Sequence, residues 1–217
     1  PRRGNTEDIK WFEADPTYVL HWINAYEEGD WLILDGFFQH DPMPAKREGT
    51  PKPLSLYRSV DLDRLQTRPH RWRFNLVTGE TKEESLSDRV MEFGMINPQI
   101  AGKNYRYTYN MTGKPGWFLF DGLVKQDVLT GTEERYFFGE GVFGSETPFA
   151  PRTGATAEDD GYLLTFTTDM NRDCSECLIF DATRLADGPI ARVRLPERIS
   201  SGTHSCWTPA EALASRQ

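Results

Sequence analysis

The sequence predicts an all-β chain. Short runs of apolar, aromatic and β-branched residues recur at close intervals, turn residues separate them, and no long stretch keeps the apolar period of a helix. Many short strands at close spacing build a barrel, a sandwich or a propeller. No repeat of fixed period is visible, so periodicity does not choose among the three.

The first strand is expected over Tyr18-Val19-Leu20-His21-Trp22-Ile23 and the second over Trp31-Leu32-Ile33-Leu34. The polar stretch from Asn24 to Asp30 between them reads as the connection of a β-hairpin. Further strand-like runs are Arg71-Trp72-Arg73-Phe74-Asn75-Leu76, Tyr105-Arg106-Tyr107-Thr108-Tyr109, Gly116-Trp117-Phe118-Leu119-Phe120 and Asp121-Gly122-Leu123-Val124-Lys125. Then come Glu134-Arg135-Tyr136-Phe137-Phe138, Gly161-Tyr162-Leu163-Leu164-Thr165-Phe166-Thr167, Glu176-Cys177-Leu178-Ile179-Phe180-Asp181 and Ile190-Ala191-Arg192-Val193-Arg194-Leu195. Val77-Thr78-Gly79-Glu80, Leu129-Thr130-Gly131-Thr132 and Asp187-Gly188-Pro189 mark turns. The stretch from Phe180 to Val193 reads as the edge of a propeller blade. Short helical patches are expected at 55–65, 181–185 and 208–215. Two coils stand out, the proline-rich residues 41–53 and the acidic residues 147–160. Long ordered loops in a compact β domain tend to be functional.

Composition excludes some functions. The formal net charge is −8 and the basic residues are scattered, so nucleic acid is not an expected partner. No apolar run approaches the ~18–20 residues of a membrane span, and no apolar core follows Pro1-Arg2-Arg3 to make a signal peptide. The three cysteines, Cys174, Cys177 and Cys206, have no framework spacing, which fits a reducing compartment and a cytoplasmic location. Cys174-Ser175-Glu176-Cys177 is formally C-x-x-C. It lacks a second ligand pair for zinc, and it runs into a strand rather than the helix of a redox motif. Strand cysteines are the better reading.

There are four histidines. His21 sits between Leu20 and Trp22 in an apolar run, where a buried ring needs a partner on each nitrogen or a metal. His204 sits in Ser200-Ser201-Gly202-Thr203-His204-Ser205, where small residues permit close backbone approach. His40, beside Asp41-Pro42, and His70, between Pro69 and Arg71, look like loop or surface residues. From the residues alone, both a satisfied core histidine and a metal ligand stand open for His21.

Four motifs in order then resemble the carotenoid cleavage oxygenases. They are Tyr18-Val19-Leu20-His21-Trp22-Ile23-Asn24-Ala25-Tyr26-Glu27, Met91-Glu92-Phe93-Gly94-Met95-Ile96-Asn97-Pro98, the acidic loop beginning Gly144-Ser145-Glu146-Thr147-Pro148-Phe149, and Gly202-Thr203-His204. The resemblance implies that residues 1–217 are the C-terminal part of a seven-bladed β-propeller, with short helices and loops capping the iron face. It implies Fe(II) held by four neutral imidazoles, with His21 and His204 as two of them. It further implies that Glu92 and Glu146 hold those two rings from behind. Phe37, Phe38 and Phe149 are candidates for the substrate cavity wall, beside the simpler reading of core packing.

Two departures from the family pattern matter. Gly94 replaces the usual proline after Glu-Phe, which is expected to loosen the loop near the iron. The other two ligand histidines have no counterpart before His21, so a missing N-terminal portion is expected as the partner that supplies them. A partial propeller would expose strand edges, so stability is expected only with that portion. A homodimer is retained among the partners. The implied activity is cleavage of a C=C bond with O2 to two carbonyl products. The expected substrate is small and hydrophobic or phenolic. The segments Gly36-Phe37-Phe38-Gln39-His40-Asp41-Pro42 and Arg198-Ile199-Ser200-Ser201-Gly202-Thr203-His204 resemble those of lignin-stilbene cleavers, and carotenoids or apocarotenoids are the alternative. A non-catalytic propeller remnant that binds a partner is the reading from another class, and zinc hydrolysis ranks below both.

Overall fold

The computed structural model describes residues 2–40, 66–113, 119–200 and 203–214. The coil expected at 41–53, the helical patch at 55–65 and the start of the Gly116–Phe120 run lie outside the described residues. Within them the chain is almost entirely antiparallel sheet. The strands are β1 (Trp22–Glu28), β2 (Trp31–Gln39), β3 (Thr67–Asn75), β4 (Thr81–Ser85), β5 (Met91–Met95), β6 (Tyr107–Gly113), β7 (Phe120–Asp127), β8 (Glu133–Phe137), β9 (Val142–Gly144), β10 (Phe149–Pro151), β11 (Gly161–Asp169), β12 (Cys174–Asp181) and β13 (Pro189–Arg194). A short helix, α1 (Ala210–Ala214), lies near the end of the described residues, where a helical patch is expected.

Pairing resolves these strands into three up-and-down meanders of four. β1 to β4 form the first sheet in chain order. β5 to β8 pair consecutively, as do β10 to β13. β9 bridges the last two groups by pairing with β7 and β11. Four-stranded antiparallel units side by side are how propeller blades are built.

The meanders are joined face to face. Ile23, Tyr26, Ile33 and Phe37 of the first pack on Met91 and Val124 of the second, with Ile96 and Tyr105 between. Tyr109, Met111 and Leu123 of the second pack on Phe149, Leu163, Leu178 and Phe180 of the third. The first interface also encloses an ion pair. The Arg71 guanidinium donates to both carboxylate oxygens of Asp35 at 2.8 Å, and the Tyr105 hydroxyl donates to Asp35 Oδ2 at 2.6 Å. Burial alone would lower the Arg71 pKa, but the hydrogen bond and charge of Asp35 outweigh it and the net shift is upward.

Several expected boundaries move, each for a local reason. β1 begins at Trp22 rather than Tyr18, and it runs through the polar residues read as a connection. Asn24 is buried because its amide donates to the Lys103 carbonyl at 2.9 Å and accepts from Gly102 N–H at 3.0 Å. The turn is only Gly29-Asp30, with Glu28 opposite Trp31 and Gly29 at φ 58°, which suits the twist of a two-residue hairpin. The run around Tyr105 is displaced to β6, which begins at Tyr107, while the Tyr105 hydroxyl bonds Asp35. β4, β9 and β10 are too short or too polar to signal by composition. The 181–185 patch is a turn, bonded by Asp181 to Thr183, that leads into one 3-10 turn at Leu185–Asp187. Cys174 and Cys177 lie on β12 and are free thiols. No described helix is long and apolar enough to cross a membrane.

Candidate metal centre

Four residues from the two ends and the middle of the chain meet at one place. His21 immediately precedes β1, where its carbonyl accepts the Phe37 N–H at 3.3 Å. Gly36 permits that approach, since a Cβ there would stand 2.7 Å from the Trp22 ring and 3.2 Å from the His21 oxygen. His204 reaches the same point from the C-terminal segment. The two imidazole centroids lie 5.1 Å apart with planes at 76°.

Glu92 on β5 holds the first ring. His21 Nδ1 lies 2.6 Å from Glu92 Oε2, and the carboxylate side chain is 3% exposed. The same oxygen accepts the Phe93 N–H at 2.6 Å, while Oε1 is buried without a partner among the described residues. The Glu92 hydrogen bond is the main reason the His21 pKa is raised. Burial opposes it, and the charges of Glu92 and Glu146 add to it. A ring whose Nδ1 proton is held this way presents Nε2 as its free donor to a metal.

Glu146, between β9 and β10, holds the second segment differently. His204 Nδ1 stands 3.5 Å from Glu146 Oε2, too far for a strong hydrogen bond. Instead the Ser205 N–H donates to that oxygen at 2.6 Å, and the Ser205 hydroxyl donates to the Glu146 carbonyl at 2.8 Å. Glu146 therefore fixes the backbone that carries His204, whose own side chain is 65% exposed.

The loop after Glu92 is tight rather than loose, which corrects the expectation drawn from Gly94. A Cβ at Gly94 would lie 2.7 Å from Ile23 Cγ1, 2.8 Å from Asn110 Oδ1 and 2.9 Å from Phe37 Cζ. β5 carries a bulge here, between the pairs Glu92–Met111 and Met95–Tyr109. Phe93 sits in that bulge at φ 53°, a left-handed conformation that costs a non-glycine residue roughly 1–3 kcal/mol.

The other histidines stand apart from this group. His40 is exposed at the end of β2. His70 is not a loop residue as expected. It lies on β3, its side chain 14% exposed and Nε2 3.1 Å from Glu83 Oε2, because alternation along the strand turns it toward Phe38 and Trp72. Phe37 and Phe149, candidates for a cavity wall or for core packing, lie within the two packed cores, and Phe38 is buried against the His70 and Trp72 rings. Sequence reasoning missed Phe93 and Ser205. Each directly follows a chemistry-bearing residue, but nothing in its identity marks it. Among the described residues, no group of three or more histidine, cysteine or carboxylate side chains could hold a metal, so the chain brings two imidazoles to the centre.

Known proteins resemble this chain along nearly its whole length. The chain is 33% identical to a carotenoid cleavage oxygenase of Mycobacterium tuberculosis, over 96% of this chain and 41% of that protein. It is 31% identical to an isoeugenol monooxygenase of Pseudomonas putida, over 95% of this chain and 45% of that protein. A lignostilbene-alpha,beta-dioxygenase isozyme III of Sphingomonas paucimobilis is 28% identical over 95% of this chain and 44% of its own length. The chain thus spans less than half the length of the curated relatives it matches. Among solved structures, cobalt-substituted Synechocystis apocarotenoid oxygenase superposes with a TM-score of 0.81 at 28% identity, covering 94% of this chain and 42% of that one. The family profile described as retinal pigment epithelial membrane protein matches residues 1–209. On these grounds the chain belongs to that family, the family of the carotenoid cleavage oxygenases.

Proposed function

We propose that this chain supplies two of the four imidazoles of a non-haem Fe(II) centre, His21 and His204, in an oxygenase that cleaves a C=C bond with O2 to give two carbonyl products. The observation that carries the reading is the meeting of His21 and His204, each segment anchored by its own buried carboxylate. The donor set fits the metal. Imidazole suits Fe(II), and the carboxylates engage the Nδ1 side of the rings, leaving Nε2 of each outside any hydrogen bond among the described residues. Nitrogen ligands at ~2 Å from one ion place neighbouring ring centres roughly 5 Å apart, which matches the spacing of these rings. Iron, when bound, supplies activation of dioxygen. The chain's own residues fix ring orientation through Glu92 and hold the His204 backbone through Glu146.

The remainder of the reading concerns the whole protein. Residues 1–217 correspond to the C-terminal part of a seven-bladed propeller domain, and a preceding portion of the protein contributes the other two histidines. The substrate class we favour is the lignin-derived stilbenes, cleaved at the bond between the two aryl rings. Relatives named for lignostilbene and isoeugenol, both aryl alkenes, support it. A relative named for carotenoid cleavage supports the alternative of carotenoids or apocarotenoids. Three free thiols fit a cytoplasmic setting.

The test uses the full-length protein that contains this chain. Metal analysis as purified should find iron, and His204→Ala should remove it. Aerobic incubation with a 4-hydroxystilbene should give two aryl aldehydes, and none without O2. Cleavage of an apocarotenal alone would move the substrate class to carotenoids. Absence of both iron and O2-dependent products would leave a binding module and end the enzyme reading.

A further inference from the structure

Alternation along β5 should place Phe93 on the face of Met91, two residues earlier. Met91 lies in the core shared by the first two meanders, yet Phe93 lies in the other core, beside Tyr109, Met111 and Phe120. The bulge and the left-handed backbone at Phe93 have turned its ring to the opposite face. Bulges next to functional sites commonly re-aim a side chain in this way. The re-aimed ring meets both histidines. Its centroid is 4.5 Å from that of His21, at 32°, and 5.6 Å from that of His204, at 78°. Behind it stands Phe120 of β7, edge-on at 5.1 Å. The bulge is wedged in this state, because Gly94 packs directly on Ile23, Asn110 and Phe37.

His21 has a hydrogen-bonded anchor in Glu92. His204 has no equivalent among the described residues, since its ring stands 3.5 Å from Glu146 and the strong bonds of Glu146 go to Ser205. Among the described residues, Phe93 is the aromatic residue that packs on both the His21 and the His204 ring. Its backbone N–H also shares Glu92 Oε2 with His21, so one residue constrains the carboxylate and both imidazoles.

We propose that Phe93 is a positioning residue which, braced by Phe120, sets the spacing and tilt of the His21 and His204 rings for metal binding. This rests on the reading of those histidines as ligands. Its strained backbone conformation is kept because relaxing it would swing the ring away from the pair.

The experiment uses the full-length protein loaded with Co(II), whose visible d–d absorption reports ligand geometry. Phe93→Leu keeps an apolar side chain but removes the flat ring. It should shift the cobalt bands and raise the rate of metal release to a chelator by on the order of tenfold, the scale seen when residues behind a ligand are lost. Phe120→Leu, which removes only the brace, should shift both readouts in the same direction to a smaller extent, and it decides the matter if Phe93→Leu does not fold. Parent-like bands and release rates in the folded variants, whatever their melting temperatures, would overturn the proposal and leave the ligand reading standing. If instead the parent holds no cobalt, or His204→Ala holds it as tightly as the parent, the ligand reading fails and this proposal with it.

Discussion

His21 and Glu92 are joined by a contact of 2.6 Å between Nδ1 and Oε2, made across 71 residues of sequence, with the carboxylate almost wholly out of water. The corresponding pair at the other histidine, His204 and Glu146, is looser at 3.5 Å. This asymmetry has consequences that can be measured.

Replacing Glu92 should harm the centre more than replacing Glu146. Glu92→Gln removes the charge that orients the His21 ring, and iron affinity of the full-length protein should fall by ~10–100-fold. Glu146→Gln leaves an oxygen that still accepts the Ser205 N–H, so its loss should sit at the lower end of that range. Competition with a chelator measures both. Equal losses would show that the difference in geometry has no functional weight.

Iron should depend on His204 and not on His70. His70 is bonded to Glu83 on the outer pair of strands of the first meander. His70→Ala should retain the parent's iron content, whereas His204→Ala should lose it, as read by metal analysis of the purified full-length variants.

Gly94→Ala should destabilise the fold. The new methyl would fall within 3 Å of Ile23, Asn110 and Phe37, and overpacking of a filled interior costs about 1–3 kcal/mol. A lower denaturation midpoint is expected, and an unchanged one would mean that the loop yields.

The buried ion pair predicts a larger loss. Asp35→Ala leaves the Arg71 guanidinium and the Tyr105 hydroxyl buried without their acceptor. Breaking one side of such a pair costs about 3–5 kcal/mol. Asp35→Leu combined with Arg71→Met should recover much of this, because it removes both charges together. Chemical denaturation of the single and double variants separates the two cases.

His70 gives a pH dependence of stability. Burial is the main influence on its pKa and lowers it below the usual 6.5, against the Glu83 hydrogen bond and charge and the more distant Asp15, with His40 adding to the lowering. The folded state therefore favours the neutral ring. Its contribution is fully present above about pH 6.5 and is lost as pH falls through the lower folded pKa. His70→Gln should flatten the fall in melting temperature as pH drops below about 6.5. A slope identical to the parent's would show that His70 does not set it.

The all-β class is legible in the residues alone, because short alternating strands and glycine turns are local signals. Gly79 and Gly131 mark turns where they are expected, each with positive φ. The motifs likewise point to the histidines and carboxylates that meet, since His21, Glu92, Glu146 and His204 are the residues the fold brings together. How they meet is set by the packing of distant segments. That Glu146 grips Ser205 rather than the His204 ring depends on where two distant segments dock. That Gly94 tightens its loop depends on Ile23 and Phe37 arriving from another meander. That Phe93 turns against both imidazoles depends on a one-residue bulge in the pairing of β5 with β6. Strand pattern and residue identity are encoded locally, but register, close approach and re-aimed side chains exist only once the sheets have packed.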